Sequence, residues 1–217
     1  MLRKIFVCTL ILAAAFVVGC GAEKVIGTPD KAVLAYSEIS TMGESSHAAE
    51  AGFSEEDNKN LRKLLIDAFA ETFKGVVPLS DESSDELSKI FYENSKAKMK
   101  FQAKIKTDDS DHPVVELTTT PLDLAKAAGK VNDDLIALIG MVGKLKSDGA
   151  TDDQLKANPE VQKLAIVALG KYINEIPVHS EKTFDVPCTK VDGTDGKVHW
   201  APADGSALKG FITGEKK

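Results

Sequence analysis

Residues 98–106 read Lys-Met-Lys-Phe-Gln-Ala-Lys-Ile-Lys, an unbroken alternation of polar and apolar side chains. Met99, Phe101, Ala103 and Ile105 fall on one side, and Lys98, Lys100, Gln102, Lys104 and Lys106 on the other. A period of two is that of a strand with one face buried and the other in water. Such a strand needs antiparallel partners and something to cover its apolar face. Asp108-Asp109-Ser110-Asp111 predicts a turn, and Pro113 to Thr120, rich in β-branched residues, a returning strand. Val178 to Val191 predicts a third strand with Phe184, Val186 and Cys188 on one face, and Pro187 in it predicts an edge or a bulge. Asp192-Gly193-Thr194-Asp195-Gly196 is a hairpin turn leading to a fourth strand with Val198 and Trp200. The expected fold class is α+β: helices packed on a small antiparallel sheet of about four strands in two hairpins.

The covering helices are legible by spacing and caps. Thr28-Pro29-Asp30 opens a first helix whose apolar face carries Val33, Tyr36, Ile39 and Met42. Residues 43–52 predict a loop. Ser54, followed by three acids, opens a second helix with Leu61, Leu64, Leu65, Ala68, Phe69 and Phe73 at helical spacing, ended by Gly75. Ser83 with Glu86 fits a capping box before Leu87, Ile90 and Phe91. Thr120-Pro121 predicts a long helix to about Lys146, apolar nearly all round over 135–143 and so expected to be central. Thr151 with Gln154 caps a short helix, and Asn158-Pro159 starts one to about Ile176 carrying Val161, Leu164, Ala165, Ala168, Leu169, Tyr172 and Ile173. Gly140, Gly143, Ala165 and Ala168 are expected to let these two apolar helices approach closely. A short helix over 203–212 is expected last.

The N-terminus carries a different signal. Arg3 and Lys4 precede a 15-residue apolar run, Ile5 to Gly19, that ends Val17-Val18-Gly19-Cys20. A membrane-spanning helix needs roughly 20 residues, whereas a basic head, a short apolar region and a small residue before the cut describe an export signal. The ending resembles the bacterial lipobox, usually Leu-Ala/Ser-Gly/Ala-Cys, with valines at the first two places. That resemblance implies acylation of the Cys20 sulfur, removal of residues 1–19, and a protein held on the outer side of the cell membrane or at the outer membrane. One acyl chain binds only marginally, but two or three on one residue hold a domain durably. The expected organisation is a signal over 1–19, lipidated cysteine and tether over 20–27, one α+β extracytoplasmic domain over 28–213 and a tail over 214–217.

Charge and cysteine content exclude several functions. Without residues 1–19 the chain has 25 basic against 33 acidic residues, a net charge of −8, unsuited to nucleic acid or anionic headgroups by bulk attraction. With Cys8 in the signal and Cys20 acylated, Cys188 stands alone and no internal disulfide forms.

Candidate sites are sparse. His47, His112, His179 and His199 show no metal-ligand spacing. His179 and His199 lie on strands expected to neighbour each other, so a two-histidine site is one candidate, against two structural or solvated histidines. The lysine row, Lys98, Lys100, Lys104 and Lys106, is either an anion patch or a solvated face that keeps a strand from pairing with other chains. The acidic runs 108–111 and 192–196 lack the ligand spacing and final glutamate of a calcium loop. Trp200 with His199, His179 and Tyr172 is a candidate pocket, as are Tyr92 and Phe91, though aromatics at such positions commonly fill cores. No nucleophile elbow, phosphate loop or dinucleotide fingerprint is present, and no cofactor is expected.

The lipobox, the Thr-Pro helix after a tether, and Asp195-Gly196-Lys197-x-x-Trp200 near the end together resemble small uncharacterised bacterial lipoproteins, over roughly residues 5–42 and 178–212. The resemblance implies a cystatin-like or nuclear-transport-factor-two-like cone, a curved antiparallel sheet wrapped around helices, and no catalytic residues. The expected function is that of a membrane-anchored, non-catalytic domain binding a small ligand, a peptide or an envelope partner. The alternatives are an envelope enzyme whose site assembles only in the fold, and an accessory lipoprotein using helix 135–143 against a partner.

Overall fold

A computed structural model describes residues 25–73, 75–127, 130 and 132–214. The expected signal, Cys20, the first part of the tether and residues 215–217 lie outside the described residues. So do the side chains of Leu65, Ala68 and Phe69.

In chain order the elements are α1 (Pro29–Met42), α2 (Ala48–Ala51), α3 (Glu55–Phe73), α4 (Asp81–Lys98), β1 (Phe101–Thr107), β2 (Val114–Thr119), α5 (Leu124–Ala127), α6 (Asp133–Ser147), α7 (Asp152–Ala157), α8 (Pro159–Asn174), β3 (Lys182–Asp192), β4 (Val198–Pro202) and α9 (Gly205–Ile212). The class is α+β, with helices against an open four-stranded antiparallel sheet of order β1-β2-β3-β4.

Register follows the alternation. Ala103 faces Leu117, which faces Phe184, and Ile105 faces Val115, which faces Val186, so the apolar residues of three strands form rows on one face. On the other face Lys104 pairs Glu116 at 2.6 Å and Lys106 pairs Asp185 at 2.6 Å. β3 is twice engaged: residues up to Pro187 pair with β2, and Cys188 to Asp192 pair with β4. Pro187, expected at an edge or bulge, sits on an inner strand where the β2 ladder ends. Its missing N–H costs no bond there.

α1 lies across the apolar face of the sheet and is covered on its other side by α3 and α4. It is therefore enclosed: Ala32, Val33, Ala35 and Ile39 are 0–1% exposed. Two buried hydroxyls on it are satisfied within the helix, Ser37 donating to the Val33 carbonyl at 2.7 Å and Thr41 to that of Ser37 at 2.6 Å. α4 packs on α8, and α8 on α6 and α7.

The central helix is thus α1 and not the 135–143 segment. The expected long helix is broken: α5 stops at Ala127, and α6 starts afresh with Asn132 accepting from the Leu135 N–H at 2.8 Å. α6 buries only Leu135, Leu138 and Val142, while Ile136 is 58% and Ile139 42% exposed. Gly140 and Gly143 face open space, so they do not make the close approach expected of them, although α6 does pack on α8. The 43–52 loop contains α2, and the cap of α4 is Ser80, which accepts from the Ser83 N–H at 3.2 Å, with Ser83 itself buried in the first turn. The capping box at Thr151 and Gln154 forms as expected. No helix of the described residues is long and apolar enough to cross a membrane.

The start of the chain is docked. The Ile26 N–H donates to the Val198 carbonyl at 2.8 Å along the free edge of β4. The bend behind it is held by Gly27 at φ +74°, where a side chain would meet the Glu50 carbonyl oxygen at 2.5 Å.

Candidate functional site

The sequence candidates are dispersed. Lys98 ends α4, and its ammonium donates to the carbonyls of Asn174 and Ile176 at 2.7 and 2.8 Å, closing the C-terminal end of α8. Burial, with Lys130 nearby, lowers its pKa. Lys100 precedes β1, and Lys104 and Lys106 are ion-paired across the strands. The lysine row is therefore shorter and more neutralised than the alternation suggested.

His199 and Trp200 are consecutive on β4, so the pleat sends them to opposite faces. His199 is buried against Phe53, ring centroids 4.7 Å apart, and its Nδ1–H donates to the Trp200 carbonyl at 2.9 Å. Trp200 lies under the Lys190 ammonium, 5.5 Å from the ring centroid. His179 belongs to another neighbourhood, its Nδ1 3.7 Å from an Asp123 carboxylate oxygen. Tyr172 sits half-buried on α8, where burial raises its pKa. These four side chains do not share a pocket. Cys188 is buried on the inner face of β3, and burial pushes its thiol up to about 12. No group of three or more His, Cys, Asp or Glu among the described residues is placed to hold a metal.

What the fold does build is a cavity of about 280 Å³ where α1, α3, α4 and α9 meet. Its inner end is apolar, with Phe91 and Ile212 5% and 1% exposed, and Leu61 and Leu64 of α3 form a wall. Its outer end is polar, formed by the exposed residues Asp204, Ser206 and Lys209 on the last turn and helix of the chain. Tyr36 of α1 lies between the two. Its hydroxyl rests so close to Gly205 that a side chain there would meet it at 2.6 Å. Burial first, and the negative charge of Asp204 second, hold the Tyr36 hydroxyl above its ordinary pKa, so it stays protonated and able to donate. Asp204 caps α9, one carboxylate oxygen accepting from the Ala207 N–H at 2.8 Å.

Of the residues named from sequence as pocket candidates, Phe91 reaches this cavity. In the sequence Tyr36 belongs to an apolar helix face, and Asp204 and Lys209 follow no local pattern. One hint was available: a tyrosine among the small residues of α1 needs a partner for its hydroxyl if that helix is buried.

A family model described as a domain of unknown function, DUF5105, matches residues 22–192. The chain belongs to the DUF5105 family. Among solved structures it is similar to a Bacillus subtilis protein, ycdA, described as a "putative lipoprotein", with a TM-score of 0.55 and 18% identity. The match covers 83% of this chain and 54% of that one, so the DUF5105 chain spans about half the length of this neighbour. At that identity the likeness is one of fold. No functionally curated protein matches the chain.

Proposed function

We propose that this DUF5105 protein is a lipid-anchored, non-catalytic domain on the outer side of a bacterial membrane that binds a small ligand in the cavity between α1, α3, α4 and α9. The cavity carries the reading: it is close in size to the roughly 300–1,000 Å³ of small-molecule sites, apolar inside and polar at the mouth. The anchor is supported by the basic start, short apolar run and Cys20, and by a fold neighbour described as a lipoprotein. A cone-like fold is supported by α1 lying across consecutive antiparallel strands. Because Ile26 is docked on β4, the six residue steps from Cys20 to Ile26 can span at most about 21 Å at ~3.5 Å per residue. The cavity would work close to the bilayer.

The test is to purify the full chain from membranes and analyse what solvent extraction releases, beside a Leu64→Trp variant that fills the cavity. A small molecule recovered in near-equal ratio to wild-type protein and lost from the variant is expected. Equal recovery from both, or nothing from either, contradicts the reading.

A further inference from the structure

The polar mouth of the cavity is not uniformly polar. It presents one carboxylate, Asp204, and one ammonium, Lys209. Lys209 makes no ion pair among the described residues. Asp204 spends Oδ1 on the Ala207 N–H and has Oδ2 left over. Its charge is felt inside, since it helps raise the pKa of Tyr36. An anionic ligand would gain at Lys209 and be opposed by Asp204. A cationic one would meet the reverse, and a neutral apolar one would leave both charges unpaired.

Size narrows the choice further. A dry cavity of about 150 Å³ holds benzene, so 280 Å³ accommodates about eleven non-hydrogen atoms. Asp204 caps α9 and Lys209 lies within it, and both line the mouth of the cavity. An α-amino acid carries one ammonium and one carboxylate on the same carbon, so it offers each of the two side chains an opposite charge while its own side chain enters the apolar end.

We propose that the cavity takes a small zwitterion with an apolar body, the class of apolar α-amino acids. The ammonium lies on Asp204, the carboxylate on Lys209, and the side chain against Leu64, Phe91 and Ile212. This rests on the cavity being a binding site, as argued above, and adds the charge pattern of its ligand.

Three probes of similar shape separate the two claims: L-phenylalanine, phenethylamine, which lacks the carboxylate, and 3-phenylpropionate, which lacks the ammonium. Titration calorimetry uses the full chain in phosphatidylcholine vesicles at low salt, with empty vesicles as blank. L-phenylalanine is expected to bind about fivefold more tightly than either partial probe, the upper range for a partly exposed ion pair. Lys209→Gln removes the advantage over phenethylamine. Asp204→Asn, which keeps a capping side chain, removes the advantage over 3-phenylpropionate. If either partial probe equals or exceeds L-phenylalanine in wild-type protein, the zwitterion claim falls and the binding site stands. If none of the three binds at millimolar concentration, both fall.

Discussion

Asp57 joins two parts of the molecule that are far apart in sequence. One carboxylate oxygen accepts from the N–H and hydroxyl of Ser54 at 2.9 and 2.7 Å, fixing the start of α3. The other accepts from the Thr194 N–H at 3.1 Å, in the turn between β3 and β4. Partial burial pushes its pKa up, but the hydrogen bonds from Ser54 and Thr194 together pull it further down, and the net shift is downward. A carboxylate held below its unfolded value of about 3.9 stabilises the fold fully above that pH and loses its effect as pH falls through the folded value. Asp57→Asn is expected to cost about 1 kcal/mol at pH 7, the group being largely solvated. In urea unfolding across a pH series, the gap between wild type and variant should be constant above about pH 5 and close below about pH 4. A gap unchanged at pH 3 contradicts this account of Asp57. At this scale the sequence was readable where a local rule operates, as in the Thr151–Gln154 capping box. Thr194 carries no such rule, because its partner comes from 137 residues away.

At the scale of elements, strands and most helix starts were legible because period and caps are local. Which helix lies in the centre was not. Residues 135–143 are more apolar than α1, and hydrophobicity alone puts them inside. The fold instead encloses α1, whose Ala32, Ala35 and Ser37 are small enough for a sheet on one side and helices on the other. The break between α5 and α6 turns α6 outward, with Leu138 in the core and Ile136 in solvent. The two substitutions should therefore separate sharply. Leu138→Ala is expected to cost about 2–5 kcal/mol, and Ile136→Ser less than about 0.5 kcal/mol, both by chemical denaturation. Equal losses would mean that α6 is covered on both sides. Pro187 shows the same limit: proline argues against an inner strand, yet it fits where β3 exchanges one partner for the other.

For the whole molecule, the α+β class followed from one alternating strand and its return, since a half-buried sheet needs helices to cover it. The cavity did not follow, because it forms only where α9, the last element, meets α1 and α3, and its charged residues are single side chains without a pattern. The proposed N-terminal signal rests on sequence, where a basic head, an apolar run and a cysteine lie within twenty residues. The central claim joins that signal to the fold: a domain held to a membrane through Cys20 alone. Cys20→Ala tests it most directly, by labelling cells with a radioactive fatty acid and separating membrane from soluble fractions. The account predicts that the variant loses the label and leaves the membrane fraction, while the wild-type chain carries the label and stays. Mature variant protein that still sediments quantitatively with membranes, or a wild-type chain that takes up no label, would contradict it.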